Sequence, residues 1–246
     1  MKNTGPEFYD NEENFKNYLQ RREWNENVND TIEKPIISQL IGNVSDKNVL
    51  DLGCGNAAIA IELLDKGCKS YIGIDGSRNM VKLAQDNLDK IGGEVIHANI
   101  EEWDFPENKF DLVFSRLAIH YIEDIDSLFE NVYKSLRQNG HFVFSVEHPV
   151  ITSSCDMEIQ SGQKTSWVVD NYFNSGQRVP VFLGGEVIKY HRTIEEYFTK
   201  LGNAKFVIEQ LRESKPERDN FINQDTFERR LKIPLLLFFS AKKTTP

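Results

Sequence analysis

The chain has 246 residues, 39% of them hydrophobic and 27% charged, which is typical of one large or two small soluble globular domains. Its formal net charge of −9 argues against a broad surface for nucleic-acid phosphates, although a local basic patch stays open. The longest apolar run, 234–239, is too short to cross a bilayer, and the polar, acidic start does not resemble a secretory signal. Cysteines at 54, 68 and 155 show neither metal-ligand spacing nor disulfide parity, so we expect a reduced, cytoplasmic compartment.

The first 45 residues predict helices that precede a sheet. Apolar side chains recur at helical spacing within 11–24 and again within 31–41. Pro35 is acceptable in the first turn of the second helix, and Gly42 with Asn43 then ends it.

From residue 48 onward, predicted strands and helices alternate. The strands are expected at 48–54, 70–75, 94–98, 110–115 and 141–146, with helices at 58–65, 78–90 and 124–138 between them. This order predicts an α/β fold in which a parallel sheet is covered by helices on both faces. We assign 46–149 to this core.

The alternation ends at Pro149. Residues 150–192 are rich in aromatic side chains and glycine and lack a clear period, which indicates a lid-like insertion. A helix over 193–201 and two strands at 205–211 and 235–241 follow within 193–246, with a charged stretch at 213–230 between the strands. We interpret the whole chain as a single domain.

The segment V-L-D-L-G-C-G at 49–55 predicts a buried strand that runs into a glycine turn before a helix. Gly53-x-Gly55-x-x-Ala58, with an acid at Asp75, also satisfies the dinucleotide fingerprint, so a nicotinamide-dependent oxidoreductase is one alternative. An acid at Asp51 favours instead a ligand with an ammonium group, because a pyrophosphate would be repelled.

Several segments together resemble class I S-adenosylmethionine-dependent methyltransferases. They are V-L-D-L-G-C-G at 49–55, G-I-D-G-S at 73–77, F-D-L-V-F-S-R-L-A-I-H-Y-I at 110–122, F-S-V-E-H-P at 144–149 and K-Y-H-R-T at 189–193. The last two resemble a bacterial subgroup of small-molecule-type methyltransferases. The resemblance implies a Rossmann-like, seven-stranded, mostly parallel sheet whose last strand is antiparallel.

The resemblance also implies a site for S-adenosylmethionine, with S-adenosylhomocysteine as the product. It assigns the methionine part of the cofactor, the ribose and the adenine to Asp51, Gly53, Cys54, Gly55, Asp75, Gly76, Met80, Asn99, Ile100, Glu101, Ser115, Arg116 and Leu117. The cofactor carboxylate is expected to meet Tyr18 or Arg22. Gly76 stands where an apolar side chain often packs on adenine, and we expect Met80 or Ile100 to compensate for it.

Methyl transfer from a sulfonium is an in-line displacement, so alignment and exclusion of water matter most. A general base is needed only if the acceptor must first lose a proton, and the candidates are His120, His148 and His191. Each of these histidines could equally be a packing residue or a structural polar contact. The acceptor is expected to meet residues near the end of the core or in the insertion, namely Glu147, Trp167, Tyr172 and Tyr190.

The sequence thus predicts a methyltransferase for a small-molecule acceptor, without a metal ion or a membrane. Three alternatives remain at this point: the oxidoreductase, a nucleic-acid methyltransferase disfavoured by the acidity, and a cofactor-binding protein without catalysis. The sequence does not specify the acceptor or the oligomeric state.

Overall fold

The computed structural model describes residues 2–89, 91–154 and 166–244. Its strands are β1 (Asn48–Leu52), β2 (Ser70–Asp75), β3 (Glu94–His97), β4 (Phe110–Arg116), β5 (Leu136–Glu147), β6 (Gly176–Arg178), β7 (Val181–Phe182), β8 (Gly185–Glu186), β9 (Lys189–His191), β10 (Phe206–Glu213) and β11 (Leu236–Lys243). Its helices are α1 (Gly5–Asp10), α2 (Glu12–Arg22), α3 (Lys34–Ile41), α4 (Ala58–Asp65), α5 (Arg78–Leu88), α6 (Ile125–Ser135), α7 (Pro149–Thr152), α8 (Ile194–Asn203) and α9 (Gln224–Leu231). A π-helical turn, Asn29–Glu33, precedes α3.

Seven strands form one sheet in the order β10-β11-β5-β4-β1-β2-β3. The pairs from β5 through β3 are parallel, whereas β11 runs antiparallel to both of its neighbours, β5 and β10. The predicted Rossmann-like sheet with an antiparallel last strand is therefore confirmed. The carboxyl ends of β1, β2, β4 and β5 meet at one edge, where open α/β sheets bind ligands.

Both faces of the sheet are buried, which is why its central strands are almost continuously apolar. Leu50, Ile72 and Phe144 belong to one core cluster, which packs against α6 and α8. Val49 and Tyr71 belong to the other, which packs against α3, α4 and α5. Neighbouring residues of one strand thus point to opposite cores, as the two-residue period of a strand requires.

The boundary between α6 and β5 differs from the prediction. The helix was expected to continue to 138 and end at Asn139-Gly140, but it ends at Ser135 and β5 begins at Leu136. The Leu136 side chain is fully buried and the residue pairs with Phe110 of β4, so packing overrides the local helical preference. The left-handed Asn139, with φ of 64°, belongs to an irregularity within the strand instead of a helix end.

Two helices, α1 and α9, were not predicted from the sequence. The first has only six residues, and its start is fixed by a capping box between Thr4 and Glu7. The second lies in the stretch interpreted as merely charged, where Thr226 is its only buried residue, so it lacks a strong apolar period. Of the predicted insertion, 155–165 with Cys155 lie outside the described residues, and the rest forms β6–β9 in two small antiparallel pairs.

The N-terminal segment lies over the carboxyl edge of the sheet. Asp10 at the end of α1 accepts a hydrogen bond from Ser77 Oγ at 2.7 Å, and Asn79 Nδ2 donates to the carbonyl of Tyr9 at 3.0 Å. On the other side, the carbonyl of Asn3 accepts from the N–H of Ile188 at 2.8 Å. The segment therefore joins the start of α5 to the insertion and covers the edge between them. None of the described helices is long and apolar enough to cross a membrane.

Candidate active site

A cavity of about 550 Å³ opens at the carboxyl edge of the sheet. Its walls come from α1 and α2, the turns after β1, β2 and β4, the end of β5, and the insertion. The lining includes these residues predicted from the sequence: Tyr18, Arg22, Gly53, Gly55, Asp75, Gly76, Met80, Asn99, Ile100, Glu101, Arg116, Leu117, His120, Glu147 and Tyr190. The remaining predicted residues do not line it: Asp51, Cys54, Ser115, His148, His191, Trp167 and Tyr172.

The glycine turn after β1 requires glycine at two positions. Gly53 and Gly55 have φ of 74° and 55°, in the left-handed region that favours glycine. A Cβ atom on Gly53 would also overlap Ala118, which follows β4. The turn can therefore approach both the neighbouring loop and a ligand through bare backbone.

Asp75 closes this turn onto the end of β2. Its Oδ2 accepts a hydrogen bond from the Gly55 N–H at 2.8 Å, and its Oδ1 accepts from the Ser77 N–H at 2.9 Å. Burial raises the pKa of Asp75, although the two backbone donors oppose this shift. Each carboxylate oxygen has a second lone pair, so Asp75 can still accept two donors from the cavity.

The structure explains why Gly76 follows this acid. A Cβ atom there would lie 2.6 Å from Pro6 Cγ and 2.7 Å from Asn99 Oδ1. Pro6 of α1 therefore stands close to the place of a side chain at position 76, and it lines the cavity together with Met80 and Ile100. Pro6 was not predicted at this wall, because nothing local in the sequence indicates that α1 reaches it.

Asp51 points away from the cavity. It shares the face of β1 on which Val49 lies, and its Oδ2 accepts a hydrogen bond from the Tyr71 hydroxyl at 2.8 Å. The side chain is buried, and its Oδ1 has no hydrogen-bond partner among the described residues. Burial raises the pKa of Asp51 to about 7, against the lowering effect of the Tyr71 bond.

Two other residues assigned to the cofactor are also buried outside the lining. Ser115 Oγ donates to the carbonyl of Leu52 at 2.7 Å, which ties β4 to β1 at the glycine turn. The Cys54 side chain is buried, and burial raises the pKa of its thiol. Both side chains thus support the backbone that faces the cavity.

Arg116 forms a buried ion pair with Glu33 at the end of β4. Its Nε donates to both carboxylate oxygens of Glu33, at 3.1 and 2.8 Å, and a further bond joins Nη2 to Oε2. Ser145 Oγ donates to Glu33 Oε1 at 2.9 Å. Burial would lower the pKa of Arg116, but Glu33 raises it well above its ordinary value. Glu33 was missed, because nothing local marks this acid as a partner of β4.

The backbone next to this ion pair is strained. Leu117 has φ of 54°, which is unusual for a residue with a side chain, and its N–H donates to both the carbonyl and the hydroxyl of Ser145, at 3.0 and 3.1 Å. Such strain persists only where surrounding contacts hold it, and it concentrates at ligand sites. Leu117 lines the cavity.

The cavity wall formed by α2 contains a second arginine whose donors are engaged. Arg22 donates to Asn27 Oδ1 at 2.8 Å and to Asp30 Oδ1 at 2.9 Å. The neighbouring Tyr18 packs edge-on against Tyr9 of α1, with ring centroids 5.2 Å apart. Both Tyr18 and Arg22 line the cavity. That either of them meets the cofactor carboxylate stays a prediction.

At the end of β5, Glu147 forms an ion pair with Lys189 of β9 at 2.5 Å. Burial would raise the pKa of Glu147, but Lys189 and nearby positive groups lower it to about 2. Lys189 is itself buried, with its ammonium 4.8 Å from the centre of the Phe182 ring. The sequence analysis quoted Lys189 within K-Y-H-R-T but gave it no role.

His120 lies beside Glu147 and lines the cavity. Its ring is 4.5 Å from that of Tyr121, and burial lowers the pKa of the imidazole to about 3. His120 is therefore neutral across the physiological range. Tyr121 and Tyr9 were not predicted, yet their hydroxyls lie 3.3 Å apart and both residues line the cavity.

The other two candidate histidines are held within the protein. His148 caps α7 through a bond from the Val150 N–H at 3.2 Å, and its Nε2 lies 2.9 Å from Glu213. His191 lies between Thr152 Oγ1 at 2.7 Å and the carbonyl of Tyr172 at 2.9 Å. Burial lowers the pKa of both imidazoles. A catalytic role for either has no support from this geometry.

Of the aromatic residues predicted to contact an acceptor, only one lines the cavity. Tyr190 lines the cavity, and its hydroxyl donates to Glu123 Oε2 at 3.0 Å. Tyr172 instead packs against His191, and its hydroxyl accepts from the Ile194 N–H at 3.4 Å. Tyr172 and Trp167 therefore do not contribute to the cavity wall in this structure.

Comparison with known proteins identifies the family to which the chain belongs. Residues 50–144 match the family described as methyltransferase domain. The chain is 32% identical to an uncharacterized protein of Haemophilus influenzae, with 96% of each chain covered.

Two solved structures resemble the fold over most of their own length. One is a Listeria monocytogenes protein provisionally assigned as an S-adenosylmethionine dependent methyltransferase, with a TM-score of 0.80, 32% identity, and 87% of this chain and 97% of that chain covered. The other is an S-adenosylmethionine dependent methyltransferase from Mesorhizobium loti, with a TM-score of 0.79, 30% identity, and 85% and 97% covered.

The ion pair between Glu33 and Arg116 yields a stability prediction. Glu33→Ala should lower the free energy of unfolding by about 3–5 kcal/mol, because it leaves Arg116 in a buried site without its counter-charge. Urea unfolding measures this. The exposed pair of Arg22 and Asp30 gives the control, since Asp30→Ala should cost less than about 1 kcal/mol. Equal losses in the two variants would contradict the assignment.

Asp51 yields a prediction about pH. Its pKa is about 7 in the folded protein and near its ordinary value of about 4 when unfolded, so the folded state binds the extra proton. This contribution to stability is complete at low pH and is lost as the pH rises through about 7. Asp51→Asn should remove this loss of stability with rising pH. Its free energy of unfolding relative to that of wild type should therefore rise by roughly 1.4 kcal/mol per pH unit between about pH 4 and pH 7. Parallel profiles of unfolding free energy against pH for wild type and Asp51→Asn would refute this. Asp86→Asn, at an exposed position, is the control and should show the wild-type profile.

Proposed function

Because this chain belongs to the class I S-adenosylmethionine-dependent methyltransferases, we propose that it methylates a small molecule held beside the cofactor in the cavity at the carboxyl edge of the sheet. The enzyme uses S-adenosylmethionine as methyl donor. The similarity extends over 97% of two solved members of this kind, and it decides against a nicotinamide-dependent oxidoreductase.

The observation that carries the proposal is how the cavity is covered. Its roof consists of α1 and α2 on one side and of insertion residues, including Phe182, Ile188 and Tyr190, on the other. Its volume of about 550 Å³ lies within the range of small-molecule pockets. A nucleic acid would need an open, basic groove, whereas this chain carries a net charge of −9.

The lining fits the cofactor at the end nearest β1 and β2. We assign the ribose hydroxyls to Asp75, because its carboxylate retains acceptor capacity toward the cavity. Pro6, Met80 and Ile100 supply an apolar wall for the adenine, and the bare backbone of Gly53 and Gly55 lets the methionine part approach. Bound there, the cofactor supplies an activated methyl group with a good leaving group.

Asp51 would act from behind this wall. Its side chain is buried with one oxygen unpartnered, so it adds negative potential to the turn without lining the cavity. That potential favours the positively charged sulfonium and ammonium groups of the cofactor over a pyrophosphate.

The chain's own contribution to catalysis is to orient the acceptor and exclude water. Glu147 is fixed by Lys189 and stays ionised, so it is placed to accept a hydrogen bond from an acceptor hydroxyl or amine. His120 is neutral and offers a second acceptor or donor at the same end. With a pKa of about 3, its imidazole is a weak base, which suits positioning better than removal of a proton.

The small-molecule proposal can be tested by following a labelled methyl group. Purified enzyme would be incubated with methyl-labelled S-adenosylmethionine and a bacterial extract separated by ultrafiltration into small-molecule and macromolecular fractions. We expect transfer only with the small-molecule fraction, because the covered cavity admits no polymer. Label that enters RNA, DNA or protein would overturn the proposal. Glu147→Gln, which keeps the shape of the side chain, should bind S-adenosylhomocysteine normally and transfer less label.

Asp75 provides a test of the cofactor site. Asp75→Ala should weaken S-adenosylhomocysteine binding about 10- to 150-fold, because a charged acceptor for the ribose hydroxyls is lost, at roughly 1.5–3 kcal/mol. Isothermal titration calorimetry measures the change. Asp86→Ala removes an exposed carboxylate of α5 and should leave the affinity unaltered. A folded Asp75→Ala protein with wild-type affinity would remove Asp75 from the site.

A further inference from the structure

Two arginines from opposite ends of the chain line the same part of the cavity. Arg21 lies in the last turn of α2, and Arg230 lies in the last turn of α9. The guanidinium of Arg21 stands 5.2 Å from the centre of the Phe182 ring. Leu235 and Leu236, which follow α9, line the cavity with them.

Neither arginine forms an ion pair with a residue that the structure describes. Among the described residues, no carboxylate lies within ion-pair distance of Arg21 or Arg230. The Nε of Arg230 is buried and lacks a hydrogen-bond partner in the same part of the chain. Since a buried guanidinium N–H is normally hydrogen-bonded, the unpartnered Nε of Arg230, with the exposed guanidinium of Arg21 in the same cavity, favours the arrival of an anion.

The charged groups around Arg230 are already engaged or repulsive. Burial, followed by Arg229 and Arg21, lowers the pKa of Arg230 to about 10, while Glu26 opposes this shift. Glu26 Oε1 accepts the N–H groups of Ile222 and Asn223, each at 2.7 Å, so it is engaged by the backbone just before α9. The nearest acid on the cavity wall, Glu147, is paired with Lys189.

One residue that lines the cavity with this pair lies on the far side of β5 from the glycine turn. Leu236 of β11 is in register with Glu147 of β5, and three strand spacings of about 4.8 Å each separate β11 from β1. Leu236, which lines the cavity together with the pair, therefore lies about 14 Å along the sheet from β1. Arg22 and Arg116, which stand at the cofactor end, are paired with Asp30 and Glu33.

We propose that Arg21 and Arg230 bind an anionic group of the methyl acceptor, a carboxylate or a phosphate, and so restrict the enzyme to anionic small molecules. Guanidinium groups present planar, paired donors that match the oxygens of both anions. The acceptor would then extend from this pair toward Glu147, which meets the hydroxyl or amine to be methylated. This inference rests on the proposed function, because it concerns the acceptor end of the same cavity.

The test measures anion binding to the protein loaded with S-adenosylhomocysteine. Inorganic phosphate, acetate and, as a cationic probe, ethanolamine are titrated at constant ionic strength, and the thermal midpoint is recorded. We expect phosphate or acetate to raise Tm by roughly 2–4 °C at tens of millimolar, and ethanolamine to have no effect. A shift with phosphate alone indicates a phosphorylated acceptor, and a shift with acetate indicates a carboxylate.

The variants Arg21→Gln and Arg230→Gln should each abolish this shift while S-adenosylhomocysteine affinity stays within about twofold of wild type. Arg229→Gln is the matched control, because it removes the neighbouring charge from a residue outside the cavity lining, and it should retain the shift. Arg21 is exposed, so its variant stays interpretable if Arg230→Gln fails to fold.

Three outcomes would overturn the inference. The first is that neither anion raises the Tm of the wild-type protein, and the second is that the Arg21 and Arg230 variants show the same Tm shift as wild type. The third is a tenfold loss of S-adenosylhomocysteine affinity in those variants, which would assign the arginines to the cofactor carboxylate. Failure of the wild-type protein to bind S-adenosylhomocysteine would instead refute the cofactor site itself.

Discussion

The active site depends on the buried ion pair between Glu33 and Arg116. Glu33 belongs to the π-helical turn before α3, whereas Arg116 ends β4, so the pair fastens the N-terminal segment to the sheet. Ser145 of β5 joins the same carboxylate, and Leu117 holds a left-handed backbone beside it. Three chain segments therefore meet at one charged group. The Glu33 side chain is fully buried, so its charge would be unfavourable there without Arg116.

This attachment turns an open sheet edge into an enclosed cavity. An open α/β sheet alone leaves its carboxyl edge facing solvent. Here α1 contacts the start of α5 through Asp10, and Asn3 pairs with the insertion strands. The resulting cover lets electrostatic contacts act in a medium of low dielectric constant, where they are stronger than in water. Such a cover suits methyl transfer, because the methyl group on the sulfonium sulfur must react with the acceptor and not with water.

The central sheet could be predicted from sequence, because each parallel strand is a short apolar run bounded by turn residues. The glycine turn and Asp75 could be placed as well, since they follow such strands directly. Prediction failed where a role depends on distant residues. Glu33 and Lys189 look like ordinary surface charges until folding brings Arg116 and Glu147 to them. His148 and His191 could not be located from sequence either, because Glu213 and Thr152, which are remote in sequence, bind their rings outside the cavity lining.

The charged residues that line the cavity differ in whether they are paired. Arg22 and Arg116 are paired with acids of the N-terminal segment. Glu147 is paired with Lys189, while Arg21 and Arg230 form no ion pair within the described part of the chain. Two unpaired guanidinium groups in one cavity repel each other, so their arrangement is unfavourable without an anion. An anion that also carries one hydrogen-bond donor would satisfy both arginines and the ionised, fixed carboxylate of Glu147.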